Sequence, residues 1–134
     1  RLHPPRRSHV PPWYPSDAMR RAAQRALDWR EELPPSRRGM TARGLGMARL
    51  IASGGAMQLD DVRAVYEYFP RHEVDKEAQG FRRGEPGYPS KGRQAWDGWG
   101  GDTARGWARR ILAEYDEPYI ARSDARARRR EGRR

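Results

Sequence analysis

Four places in the chain hold residue types that do chemistry elsewhere. The first is His72-Glu73-Val74-Asp75-Lys76, an imidazole beside two carboxylates, a ligand mixture that could hold a transition metal. A metalloprotease helix needs His-Glu-x-x-His, and the second histidine position is Lys76 here. The cluster therefore reads as a polar tie between a helix end and the following loop. His72 is expected to donate to a backbone carbonyl and Asp75 to pair with Arg82 or Arg83. The second place is Gly98-Trp99-Gly100-Gly101-Asp102-Thr103, ahead of a helix start where backbone N–H groups can cradle phosphate. No phosphate-loop or dinucleotide glycine spacing is present, and Asp102 would repel an anion, so capping is the better account. The third comprises Asp60-Asp61 and Asp116-Glu117, adjacent pairs that splay about 100° apart on a helix and cannot converge as acid and base. His3 and His9 stand in a proline-rich arm, no serine has a nucleophile-elbow context, and there is no cysteine. The expectation is a protein that is not an enzyme, with no metal and no cofactor.

The fourth place is the C-terminal arginine run: Arg122, Arg126, Arg128, Arg129, Arg130, Arg133 and Arg134, opposed in residues 120–134 only by Asp124 and Glu131. Such a run binds phosphate oxygens and releases counterions, giving affinity without sequence reading. An acidic protein surface would satisfy it equally, and a solvated terminus is the plain alternative. The formal net charge of +10 is concentrated at the ends, with +3 in residues 1–15 and +5 in residues 120–134.

These groups must be positioned by short helices. Residues 1–15 carry five prolines, which fix φ and remove donors, so this stretch reads as an extended arm. Arg6, Arg7, Trp13 and Tyr14 are its candidate partner-binding residues. Ser16 and Asp17 open a helix through Leu33, ended by Pro34-Pro35, with Met19, Ala22, Ala23, Ala26, Trp29 and Leu33 on one face. A second helix runs from Thr41 to Gly54-Gly55 with Leu45, Ala48, Ile51 and Ala52 inward. A third starts near Asp60, directs Val62, Val65, Tyr66 and Phe69 to one side, and stops at Pro70. The second and third could form a helix-turn-helix, but Asp60, Asp61 and Glu67 make the third a poor recognition helix. Residues 71–89 are rich in turns. Ser90 caps a short helix holding Ala95, Trp96 and Trp99, and Gly100-Gly101 breaks it. The last helix carries Ala104, Trp107, Ala108, Ile111, Leu112 and Tyr115 as a stripe, and Pro118 closes it.

The expected fold is therefore all-α, four or five short helices around a core of Trp29, Phe69, Trp96, Trp99, Trp107 and Ile111. Residues 16–119 form the domain, between the arm at 1–15 and an Arg-rich tail at 120–134. The chain opens on Arg1, not methionine, so some N-terminal residues are expected to have been processed, truncated or left out. No apolar run approaches membrane-spanning length and no signal peptide is present. Three of the five tryptophans fall among the glycines of residues 71–108.

That last stretch carries a resemblance. Arg71-His72-Glu73-Val74-Asp75-Lys76, Pro86-Gly87-Tyr88-Pro89-Ser90, Ala95-Trp96, Trp99-Gly100-Gly101-Asp102 and Trp107-Ala108 resemble a small domain of tailed-bacteriophage genes, found near head and prohead-protease functions. The likeness extends upstream to Ala26-Leu27-Asp28-Trp29-Arg30 and covers roughly residues 20–112, the size of one small domain. It implies a setting, not a reaction. The expected function is a bacteriophage virion structural protein, head-associated, that binds capsid or portal-region subunits through its arms and packaged DNA through its arginines. It would reside in the virion, and in host cytoplasm before assembly. The alternative is a non-virion nucleic-acid-binding protein of replication, packaging or regulation.

Overall fold

The computed structural model describes residues 12–133. Among these residues six α-helices follow one another: α1 (Asp17–Glu32), α2 (Ala42–Ser53), α3 (Leu59–His72), α4 (Lys91–Gly98), α5 (Ala104–Tyr115) and α6 (Glu117–Gly132). Two 3₁₀ turns, Pro35–Arg37 and Glu73–Glu77, follow α1 and α3. Among the described residues there is no strand, only an isolated bridge between Trp13 and Met57.

Local chemistry sets most helix starts. The hydroxyls of Ser16, Thr41 and Ser90 accept from the backbone N–H of Met19, Gly44 and Arg93, which satisfies donors a helix start leaves open. Gly54 ends α2 in the left-handed region at φ 71°. The start of α5 differs from expectation. Thr103 makes no capping bond, and Asp102 Oδ1 instead accepts the indole N–H of Trp96 at 2.9 Å. A buried indole needs an acceptor, and the carboxylate goes to it.

Two prolines act differently from their expected roles. Pro70 lies inside α3, which continues to His72, because a proline in the last turn forfeits only its own hydrogen bond. Pro118 does not close α5, which has already ended at Tyr115. It sits in the first turn of α6, where its missing N–H costs nothing. Residues 117–132 are thus a helix, not a tail, and the boundary at 119/120 falls inside it. The sixth helix exists because Ile120 and Ser123 are buried and Tyr119 packs against the core. Tertiary packing outweighs the mutual repulsion of its arginines.

Helix α1 packs on α2 and α4, while α3 packs on α5 and α6. Aromatic rings join the two groups. Phe69 of α3 meets Trp96 of α4 edge-on at 4.7 Å, and Phe81 meets the same indole at 5.7 Å. The turn from α4 to α5 requires glycine: Gly100 and Gly101 have φ of 112° and 75°, and a Cβ on Gly101 would lie 2.9 Å from that of Ala22.

Phe69, Trp96, Trp99 and Trp107 lie in this core. Ile111 is half-buried against it. Trp29 is half-buried and outside it, with its ring edge-on to Tyr88 at 5.5 Å. Trp13 is no free anchor. Its backbone exchanges two hydrogen bonds with Met57 (2.9 and 2.7 Å), and its ring meets Tyr115 at 5.1 Å. Residues 12–15 therefore belong to the domain. Arg6 and Arg7 lie outside the described residues, as does Arg134.

Candidate nucleic-acid interface

Helix α6 sorts its arginines by angle. At 3.6 residues per turn, Arg122, Arg126, Arg129, Arg130 and Arg133 fall within an arc of about 100°, whereas Arg128 points away from that arc. The apolar side of α6, Ile120 and Ala127, faces the fold. The arginine stripe borders that buried side, so it lies alongside α3.

Glu67 of α3 docks the stripe. Its carboxylate accepts from Tyr119 Oη and Arg126 Nη2, both at 2.5 Å, and from Ser123 Oγ at 3.3 Å. Arg71 stands 4.0 Å away. Burial pushes the Glu67 carboxyl up, but the bonds from Tyr119 and Arg126 outweigh it and hold it below the usual carboxylate range. Burial and Glu67 push the Tyr119 hydroxyl up to about 12. A second anchor, Asp124, accepts from Tyr66 Oη at 2.7 Å and faces Arg105 and Arg109 at 3.3 and 3.4 Å. Burial again opposes, and the bonds from Tyr66 and Arg109 again hold the carboxyl low.

With α6 docked in this way, Arg71, Arg126, Arg129, Arg130 and Arg133 line one concavity of about 590 Å³ with no carboxylate in its lining. Among the described residues, Arg129, Arg130 and Arg133 make no ion pair. Next to it lies a cleft of about 810 Å³, lined by Arg43, Arg63, Arg71, His72, Tyr68, Trp99 and Tyr119 together with Asp60 and Glu67. Arg71 borders both.

The structure thus gathers four of the seven expected C-terminal arginines with one that sequence reasoning did not place there. Arg122 lies on the same stripe, its guanidinium 5.8 Å from the Tyr119 ring. Arg71 and Glu67 carry no local signal for this role, because Glu67 and Arg126 are 59 positions apart.

The other candidate chemistry does not assemble. His72 Nδ1 faces Asp75 Oδ2 at 3.1 Å, not a backbone carbonyl, and Asp75 pairs with neither Arg82 nor Arg83 among the described residues. Glu73 turns to Lys76 at 3.4 Å. Among the described residues no group of three His, Asp or Glu side chains could hold a metal. Helix α3 packs on α5 and α6, and its free side carries Asp60 and Glu67 beside its arginines, a poor surface for a recognition helix. No helix among these residues is long and apolar enough to cross a membrane. Compared with protein-family models, curated proteins and solved structures, the chain matches none.

Proposed function

We propose that this chain binds nucleic acid by its phosphates, without reading base sequence, through Arg71 and the stripe Arg126, Arg129, Arg130 and Arg133. The observation that carries this reading is that five arginines line one concavity that no carboxylate lines, with Arg126 and Arg71 braced by Glu67 and Arg129, Arg130 and Arg133 making no ion pair among the described residues. Like charges three and four residues apart destabilise a helix by a few tenths of a kcal/mol per pair, roughly. A polyanion lying on the stripe converts that repulsion into attraction and releases its own counterions.

The setting we propose is a tailed-bacteriophage particle, with the chain as a head-associated virion protein that contacts packaged DNA and neighbouring capsid or portal-region subunits. The resemblance over residues 20–112 supports this setting. Trp13 is committed to the fold, so contact with a neighbour falls to exposed groups such as Tyr14, which is 61% exposed. The rival setting is a non-virion nucleic-acid-binding protein of replication, packaging or regulation.

Fluorescence anisotropy with labelled DNA across a salt series tests the binding. The variant R129A/R130A/R133A should bind more weakly and flatten the slope of log K against log salt by about 2–3. An unchanged slope would remove the reading. Co-purification with nuclease-treated, salt-washed particles tests the setting: retention supports the virion protein, and absence from particles supports the rival.

A further inference from the structure

Three aromatic rings stand stacked beside the arginine concavity. Tyr68 lies parallel to Trp99, with centroids 4.9 Å apart and planes at 10°, and parallel to His72 at 4.2 Å and 15°. Two rings at those distances must occupy opposite faces of the tyrosine, so the order is Trp99, Tyr68, His72. Trp99 and Tyr68 are buried. All three rings line the cleft of about 810 Å³, and His72, its side chain 42% exposed, is the outer tier. Asp75 holds one ring nitrogen at 3.1 Å and so fixes the ring plane. The Tyr68 hydroxyl is buried with no hydrogen-bond partner. The faces of that ring, not its polar tip, account for its place.

Three arginines, Arg43, Arg63 and Arg71, line the cleft with two carboxylates, and Asp75 stands against His72 at its side. The two carboxylates lining the cleft are already engaged, Asp60 by Arg63 at 2.9 Å and Glu67 by Tyr119 and Arg126. Arg43 of α2 makes no ion pair among the described residues and lines the same cleft. Arg71, next to His72 in the chain, connects the cleft to the arginine concavity.

We infer that the cleft takes an unpaired nucleobase stacked on the outer face of His72, from a single strand whose phosphates continue over Arg71 onto the α6 arginines. The inference rests on the phosphate-binding reading above and narrows it to a substrate class. Every base has a π-face, so a stacked-ring platform accepts any of them, while adjacent cations hold the backbone. In a duplex the bases are already stacked on each other and cannot enter.

Anisotropy with a single-stranded oligo-dT and a duplex of equal length tests this, using wild type, His72→Ala, His72→Phe and R129A/R130A/R133A. His72→Ala should lose roughly 5- to 150-fold in affinity for oligo-dT, the usual range for one lost stacking partner, with duplex binding unchanged. His72→Phe should retain oligo-dT binding, because a phenyl ring stacks without the bond to Asp75. Oligo-dT binding by His72→Ala equal to wild type, or equal losses on both DNAs, would overturn the inference. The phosphate-binding reading then stands if the triple arginine variant loses both ligands, and falls if that variant binds like wild type. Photocrosslinking of wild type to a 5-iodouracil oligonucleotide needs no variant to fold. A crosslink in the peptide holding His72 is expected, and crosslinks confined to other peptides would overturn the stacking site.

Discussion

A carboxylate that is 2% exposed must be held by something, and Asp97 is held by Arg25 and Arg93. Its Oδ2 accepts from Arg25 Nε at 3.0 Å, and Arg93 Nε lies 3.3 Å from Oδ1 without hydrogen-bond alignment. Burial pushes the Asp97 carboxyl up, and the two guanidiniums pull it only part of the way back. Gln94, one turn earlier, is fully buried and bonds the backbone of Gly39, Arg37 and Pro89. These two polar residues tie α4 to the loops around it. Asp97→Ala should cost about 3 kcal/mol, the low end for a broken buried pair, because Arg25 is half exposed and rehydrates. Asp97→Asn keeps the shape and one acceptor and should cost about 1–2 kcal/mol. Urea melts of the two variants measure the difference, and equal losses would mean that shape, not charge, matters there.

At the scale of elements, α6 is the helix whose existence depends most on a neighbour. It contributes few buried apolar residues, and its arginines repel. Its docking therefore rests on Ile120, Tyr119 and Ser123, and on the polar anchors Glu67 and Asp124. Glu67→Ala removes the acceptor shared by Tyr119 and Arg126. It should raise amide hydrogen exchange in α6 by about tenfold or more while leaving α1 unchanged, since helices open separately when their contacts are separate. Equal acceleration in α1 would show that the molecule opens as one unit. Weaker DNA binding should accompany the loosening, because an undocked α6 no longer holds its arginines beside Arg71.

The whole molecule reads as two helix groups joined by aromatic rings, with opposite responses to acid. Glu67 and Asp124 have carboxyls held low in the folded state, so their stabilisation is full above the usual carboxylate range and is lost progressively as pH falls from that range through their lowered values. Asp97 is held high, so its charge weighs against folding at neutral pH, and protonation relieves it on acidification. The α3–α6 side should therefore loosen first below about pH 4, ahead of the α1–α4 side. Circular dichroism with residue-resolved NMR down a pH series checks the order. Glu67→Gln should reduce the loss of melting temperature over that interval.

Most helix starts, and the stop at Gly54, were legible in the chain because capping and periodicity are local, whereas the roles of Pro70 and Pro118 were not. Ser16, Thr41, Ser90 and Gly54 act within four residues of themselves, and the apolar spacing of α1, α3 and α5 needs no partner to be seen. The aromatic core at Phe69, Trp96, Trp99 and Trp107 followed from the same stripes, and the C-terminal arginines from composition. Whether those arginines form a tail or a helix was not decided locally, because a charged segment folds only if something buries its other face. The docking of Trp13 on Met57, the pairing of Glu67 with Arg126, the approach of Arg71 to α6 and the stacking of Tyr68 between Trp99 and His72 were settled by tertiary structure. Most of these join residues from distant parts of the chain, and the stack is completed only when α4 meets α3. Such contacts leave no periodic trace in the sequence.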